Sequence, residues 1–399
     1  MSAPRTPHYA DHSVVSAPLP DHPLARMIAD EIRLHDGWIP FDRYMELALY
    51  TPGLGYYSGG KRVLGRTPQD GSDFITAPEL TPLFGETLAK QVSQALDATG
   101  TDEIWEFGAG SGALAEQLIS VLGDRIKRYT IVDLSGALRD RQHQRIVKQQ
   151  PELAHKVVWA DSLPDQFDGV VVGNEVLDAM PVKLLTWTGH VWQERGVSLN
   201  PSSTEEHPVF MWADRPTSAS GVRPPCDTPD HHYAPGTVVE THDPAHAFVT
   251  TLAQRMGKGA AFFMDYGFPE SEFYLPQRRG GTLMCHQGHQ SDPDPLSDVG
   301  EKDITAHVNF TGVALAGQEA GWEVLGYTSQ GRFLTNCGLL ESLSRPVDKP
   351  TAADFKTRAA VQMLITEHEM GELFKVIGFV KGEWFDAMGF SDGDRTHTL

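Results

Sequence analysis

The hydrophobic pattern begins in a helical rhythm. Leu24, Met27, Ile28, Glu31 and Ile32 fall at spacings of three and four after Asp21-His22-Pro23, a capping residue followed by a helix-starting proline, and Gly37 closes the segment. A second short helix is expected over 41–50, before the turn Thr51-Pro52-Gly53. A third should run over 82–99, with Phe84, Leu88, Val92, Ala95 and Leu96 inward and Gly100 ending it. Between them, 53–60 is turn-rich and 70–79 reads as loop.

After Gly100 the rhythm changes. Short apolar runs alternate with amphipathic helices: strand 103–107, helix 113–122, strand 129–133, helix 137–149, then strands 157–160 and 169–173. That alternation predicts an α/β fold, a Rossmann-like parallel sheet with helices on both faces. Strands are expected next at 182–187 and 191–197, and the proline-, serine- and histidine-rich tract over about 198–236 reads as a surface insertion. A helix over 244–257 and a strand over 260–266 resume the pattern. A loop-rich stretch, 267–301, leads to a helix over 311–320, a strand over 322–327 and a helical segment over 352–380. The chain thus divides into a leader (1–20), a helical N-terminal extension (21–100), a core (101–335), a C-terminal helical segment (336–390) and a polar tail (391–399).

Composition narrows the functions. Hydrophobic residues at 40% and charged residues at 22% suit an ordinary globular chain with a real core. Asp and Glu number 53 against 33 Lys and Arg, a formal net charge of −20, which argues against wrapping a phosphate backbone and favours a cationic substrate. Three scattered cysteines, Cys226, Cys285 and Cys337, make no disulfide framework and suit a reducing compartment. No apolar run is long enough to span a bilayer, and the first residues carry no signal core, so a cytoplasmic protein is expected.

The densest chemical signal is Glu106-Phe107-Gly108-Ala109-Gly110-Ser111-Gly112, between a strand and a helix. Glycines at 108, 110 and 112 let the backbone turn sharply beneath a ligand. Their GxGxG spacing departs from the GxGxxG of dinucleotide binders, and Glu106 just before the loop suits an amine better than a pyrophosphate. Taken alone the loop is weak, because glycine turns after strands are common. The following strand ends add to it. Asp133 lies roughly 20 residues past the loop, where a carboxylate accepts ribose hydroxyls. Asp161-Ser162 ends the third strand, within reach of an adenine amino group, and Asn174-Glu175 ends the fourth. Together they describe a site for S-adenosylmethionine. Glu175 and Asp178 are three apart, so a helical turn there would put both on one face to grip a guanidinium and orient its nitrogen. The competing reading makes Asp178 a helix cap and Glu175 a cofactor contact.

At these residues the chain resembles the MidA-like family of S-adenosylmethionine-dependent methyltransferases, whose mitochondrial branch is a protein-arginine methyltransferase that assembles respiratory complex I. The likeness runs through Ile39-Pro40-Phe41, Tyr44-Met45, 48–57, 71–79, 106–112 and 174–182, then Asp265-Tyr266-Gly267, Gly281-Thr282-Leu283, 303–310 and 370–375. It covers about 24–380. The resemblance implies a class I methyltransferase core with a helical N-terminal extension and a substrate-side insertion, and a Thr76-Ala77-Pro78-Glu79 loop folded across the cofactor. It further implies cofactor contacts from Thr76, Pro78, Glu79, Ala109, Ser111 and Leu134, and a protein substrate of the respiratory-complex type. Ser72, between Gly71 and Asp73, departs from the family's contiguous Gly-Asp-Phe.

Other signals are set aside or stay open. Pro225-Cys226 is read as loop composition, and the Asn-Pro-Pro-aromatic signature of amino-group DNA methyltransferases is absent at Asn174, so no nucleic-acid partner is expected. Cys285-His286 with His289, and His242 with His246, lack the further ligands of a metal site. His307, beside Asp303 and Asn309, lines a substrate channel or packs at a helix start. Tyr56-Tyr57 is core or lid, and Asp265-Tyr266 is a candidate pocket wall. An assembly factor with a structural cofactor site and a nicotinamide-dependent oxidoreductase are the competing functions; cofactor binding without turnover would mark the first, NAD affinity the second.

Overall fold

The computed structural model describes residues 22–59, 75–133, 135–217, 222–288, 290–343 and 351–399. Asp21, 71–74, Leu134 and His289 fall outside them. The described residues form two compact units, one drawn from 1–63, 179–245 and 270–307, the other from 64–178, 246–269 and 308–399.

The second unit holds the α/β core. Its strands are β1 (Glu103–Phe107), β2 (Arg128–Val132), β3 (Val157–Ala160), β4 (Phe167–Asn174), β5 (Met256–Phe268), β6 (Glu323–Ser329) and β7 (Phe374–Lys381), in the order β6-β7-β5-β4-β1-β2-β3. β1 to β5 pair in parallel, whereas β7 runs against both its neighbours. The helices α1 (Leu83–Thr99), α2 (Ala113–Leu122) and α3 (Gly136–Gln149) belong to this unit. Val170, Val171 and Val172 in β4 and 260–264 in β5 are buried without alternation, as befits strands covered on both faces. Phe84, Leu88 and Val92 of α1 join that core with Leu114, Leu118 and Ile119 of α2.

β7 corrects the expectation of a helix through 380. The helix Ala352–Ile365 forms, with Thr351 and Asp354 closing a capping box, and a single turn at Met370–Leu373 precedes the strand. A fully buried strand presents a continuous apolar run, which periodicity cannot tell from a buried helix. The β-branched Val376, Ile377 and Val380 were the better guide. The polar tail is also docked. Gly378 lies opposite Gly326, and a Cβ on either would meet the Phe390 ring, at 2.6 and 2.2 Å. Past that buried ring, Tyr327 N–H donates to Asp394 at 2.9 Å and Thr328 Oγ1 to the Gly393 carbonyl at 2.7 Å, tying the tail to β6.

The first unit gathers the helices Pro23–Leu34 and Phe41–Tyr50 with a five-stranded antiparallel sheet. The expected 21–100 extension is therefore divided, since these two helices fall in this unit and α1 in the other. Its strands are Ile39–Pro40, Lys183–Trp187, Trp192–Leu199, Phe210–Pro216 and Val238–Thr241. Phe210–Pro216 lies within the tract read as an insertion, yet every one of its residues pairs with Trp192–Leu199, from Gln193 to Leu199. Its Phe210 and Trp212 rings pack on Tyr44 and Phe41, at 5.7 and 5.3 Å between centroids. A small sheet of Met284–Gln287, Gln290–Asp292 and Asp303–Thr305 completes the unit.

Candidate active site

From β1 the chain steps outward through β2 and β3 and then returns to β4 on the other side of β1, so the strand order reverses between β1 and β4. Open parallel sheets bind ligands at the carboxyl ends of the strands flanking such a reversal. The glycine loop leaves β1 there. Gly108, Gly110 and Gly112 all take left-handed φ angles, 64°, 51° and 79°. At Gly108 the space is closed as well, since a Cβ would lie 2.7 Å from Val176 Cγ2, in the turn after β4.

Glu106, the residue two before Gly108, is 2% exposed and accepts a hydrogen bond of 2.8 Å from the Tyr129 hydroxyl. Burial pushes its carboxyl up to about 8; the Tyr129 bond pulls it down and the Asp133 charge pushes it up again. Asp133, just past β2, accepts from Ser135 N–H at 2.8 Å and from Gln142 Nε2 at 2.8 Å.

Gln142 is the residue that sequence reasoning missed. It is fully buried on α3, donates also to the Gly110 carbonyl at 3.0 Å, and accepts from Trp159 Nε1 at 2.8 Å. A Cβ on Gly112 would come within 3.2 Å of it. One amide therefore joins the glycine loop, the carboxylate after β2 and the indole of β3. Arg139 and Arg145 share its spacing of three along α3. Arg139 binds the Asp133 carbonyl, the Ala160 carbonyl at 2.9 Å and Asp161 at 2.7 Å. Arg145 binds Glu79 at 2.6 Å and Ser111 Oγ at 3.0 Å. That polar stripe on a helix poor in apolar residues was the legible signal.

The short helix Ala77–Leu80 follows Thr76 and is pinned to the glycine loop. Ser111 Oγ donates to the buried Glu79 carboxylate, and Gln117 Nε2 donates to the Pro78 carbonyl at 2.7 Å. Asp161 and Ser162 follow β3. Both are exposed at the end of β3, Asp161 engaged by Arg139. Ala109 is buried within the loop.

After β4 the structure forms a turn instead of the expected helical turn, and no helix is present for Asp178 to cap. Glu175 adopts a left-handed φ of 54°, a conformation costly for a residue with a Cβ. Asn174 Nδ2 donates to Glu175 at 3.1 Å, and its buried Oδ1 has no partner among the described residues. Asp265 of β5, fully buried, receives three successive backbone N–H groups on Oδ2, from Val176 at 3.2, Leu177 at 2.9 and Asp178 at 3.2 Å. Tyr266 donates its backbone N–H to the other oxygen at 2.9 Å and its hydroxyl to Asp178. Burial pushes the Asp265 carboxyl well above the usual range, Asp178 and Glu175 push it the same way, and the N–H donors oppose them.

His307 lies in the first unit, where its N–H donates to Thr282 Oγ1 at 3.0 Å; Asn309 caps the helix Phe310–Glu319. Tyr56 is core, and Tyr57 donates to Asp303 at 2.9 Å. All three cysteines are free, and no metal-binding cluster occurs among the described residues. No helix among them is long and apolar enough to cross a membrane.

Replacing Gln142 by leucine keeps the volume and takes the Gln142 bond from Asp133 Oδ2, the Gly110 carbonyl and Trp159 Nε1. Unpaired buried polar groups cost about 1–3 kcal/mol, so the expected result is a lower melting temperature and roughly tenfold weaker cofactor binding. Calorimetry and thermal unfolding check it; parental values in both would show that Gln142 is only packing.

The residues fit a nucleoside joined to an amino acid: a left-handed glycine cradle closed to a Cβ at Gly108, a buried carboxyl before it and an orphaned buried amide oxygen at the end of β4. Comparison with known proteins agrees. A family model described as "Putative S-adenosyl-L-methionine-dependent methyltransferase" matches residues 87–328. A crystal structure of a Burkholderia thailandensis protein bound to S-adenosyl-homocysteine superposes with a TM-score of 0.89 at 48% identity, covering 96% of this chain and 100% of that one. "Protein arginine methyltransferase NDUFAF7, mitochondrial" of Danio rerio is 29% identical over 85% of this chain and 82% of its own length; the Homo sapiens protein of that name is 27% identical over 89% and 82%. The chain therefore belongs to this family of methyltransferases, with a Rossmann-like core and S-adenosylmethionine as cofactor.

Proposed function

We propose that the protein transfers a methyl group from S-adenosylmethionine to a guanidinium nitrogen of arginine in a protein partner, in the cytoplasm, with a respiratory-complex subunit as the acceptor class. The observation that carries the reading is the acidic turn at the reversal point, where Glu175, Asp178 and Asp265 gather beside the glycine loop. Three neighbouring carboxylates, two of them buried, favour a cationic guest. A guanidinium matches carboxylates through paired, charge-assisted hydrogen bonds. The relatives named as arginine methyltransferases support the same reading.

When bound, the cofactor supplies an electrophilic sulfonium methyl. Gly108, Gly110 and Gly112 let the loop approach it, Glu106 faces its ammonium, Asp133 its ribose and Asp161-Ser162 its adenine edge. Thr76, Pro78 and Glu79 close over it, and Asn174 completes the contacts. Glu175 and Asp178 hold the acceptor so that one nitrogen lone pair lines up for displacement, a positioning effect first of all. One of the two accepts the proton that the nitrogen sheds as the new bond forms. The test is mass spectrometry of arginine methylation in cells lacking the chain and in cells carrying Glu175→Gln. Sites lost in both support the reading. An unchanged methyl-arginine map refutes it, and cofactor binding without any transfer leaves an assembly role.

Glu106 gives the cofactor site a pH signature. Its carboxyl, pushed up to about 8, is mostly protonated at pH 7, and a cofactor ammonium stabilises the carboxylate. Binding at pH 7 is expected to release roughly 0.9 proton, and affinity should rise with pH to about 8. The sign is opposite for the unliganded fold. A carboxyl raised from 4.5 to about 8 makes the folded state bind more protons than the unfolded one, so stability falls as pH rises through that window. Calorimetry in buffers of different ionisation enthalpy reads the release, and a buffer-independent binding heat would refute it.

A further inference from the structure

Asp265 lies on β5, separated from β1 by β4 and outside the glycine loop, and none of its surface is exposed. It is nevertheless the group around which the acidic turn is built. We propose that Asp265 is a positioning residue, with Tyr266 as its companion, that holds the 175–178 turn in the shape the acceptor carboxylates need. This rests on the reading that Glu175 and Asp178 orient the acceptor.

The geometry gives Asp265 two separate holds. Oδ2 collects the N–H groups of Val176, Leu177 and Asp178, three donors that a tight turn leaves without backbone partners. Oδ1 takes the N–H of Tyr266, which fixes the carboxylate plane from its own strand. Glu175 enters the turn from the sheet, its N–H on the Met264 carbonyl at 2.9 Å, and must then bend through its left-handed φ. A non-glycine residue stays in that conformation only when its surroundings over-determine it, and the Asp265 carboxylate supplies that determination directly downstream. Tyr266 completes the device by donating its hydroxyl to the Asp178 carboxylate.

The groups facing Asp265 are acidic on one side only. Glu175 and Asp178 stand in the turn, Tyr266 on β5, and Lys375 opposite Asp265 on β7, where its ammonium lies 3.6 Å from Glu372 and donates to the Glu372 carbonyl. The N–H donors thus meet a carboxylate that Asp178 and Glu175 repel. Such an arrangement strains the turn towards a cationic guest, which relieves the crowding.

The test is a double-mutant cycle on the full chain. It reads tritiated methyl passed from S-adenosylmethionine into acid-precipitable protein of an extract from cells lacking this chain, with S-adenosylhomocysteine affinity measured alongside. D265N sets an amide NH2 either against the Tyr266 N–H or against the three N–H groups of the turn, whichever way it is turned. The expected result is a rate about 100-fold lower with cofactor affinity within roughly threefold of the parent. Because Asp265 acts through the turn, D265N/E175Q should be no more than about threefold slower than E175Q alone. Losses that multiply, or a D265N chain at the parental rate beside a slow E175Q, overturn this inference alone. E175Q at the parental rate overturns the acceptor reading first, and this inference with it. Amide exchange gives a readout that needs no acceptor. In D265N, or in D265S should D265N fail to fold, protection at 176–178 should fall at least about tenfold while that at 131–132 holds. Unchanged protection at 176–178 overturns the proposal.

Discussion

A Glu175→Gln chain is expected to bind S-adenosylmethionine normally and to transfer methyl groups about 100-fold more slowly, because it keeps the shape of the side chain and loses the charge that orients a guanidinium. Glu175→Gly separates this role from a structural one. At φ 54° the glutamate holds a conformation that costs a residue with a Cβ roughly 1–2 kcal/mol and glycine very little. Removing the carboxylate also eases the repulsion it exerts on Asp265. Glycine loses more chain entropy on folding, so the net gain is about 1 kcal/mol, a melting temperature higher by roughly 2 °C. The expected pattern is therefore a more stable, nearly inactive protein. Thermal unfolding and the transfer assay read the two halves. A Glu175→Gly chain that is less stable than the parent, beside an active Glu175→Gln, would show that the residue serves the fold and not the chemistry.

Much of this site was legible because its residues sit at strand ends, where sequence order and spatial order coincide. A parallel sheet delivers the end of each strand to the same edge, so Glu106, Asp133 and Asn174 follow from the alternation of runs and helices alone. The Asp265 arrangement was half visible: its strand end was predicted, its service to the turn after β4 was not. That bond joins residues 87 to 89 positions apart through backbone N–H groups, which carry no residue-type signature. Gln142 was missed for another reason. A glutamine within a polar helix reads as solvated, and only the packing of α3 against the glycine loop turns it inward. The strand Phe374–Lys381 and the pairing of Phe210–Pro216 were hidden by burial on both faces in one case and by proline- and serine-rich flanks in the other.

Adding one methyl group at Gly108 is expected to weaken cofactor binding about 100-fold with a smaller loss of stability. The new Cβ would stand 2.7 Å from Val176 Cγ2, and the backbone there is left-handed. Val176 has little room to yield. Its β-branched side chain is stiff about χ1, and its N–H is held by Asp265 at 3.2 Å. The strain therefore falls on the loop, which is tethered past position 108, at the Gly110 carbonyl and at Ser111 Oγ, and bends out of its native turn at 108 itself. Left-handed strain of about 1 kcal/mol and overlap of about 2 kcal/mol together leave the native loop populated at roughly 1%. Apparent affinity falls by that fraction, because the cofactor must restore the turn before it binds. The two costs can be told apart by a second substitution. Val176→Ala removes the methyl that the new Cβ meets, so Gly108→Ala/Val176→Ala should recover affinity to within about tenfold of Val176→Ala alone, leaving only the backbone term. Calorimetric titration with S-adenosylhomocysteine across the four chains reads this directly. Normal binding by Gly108→Ala, or no recovery on trimming Val176, would mean that the loop after β1 and the turn after β4 do not meet around the cofactor, and the acceptor carboxylates would then lose their place beside it.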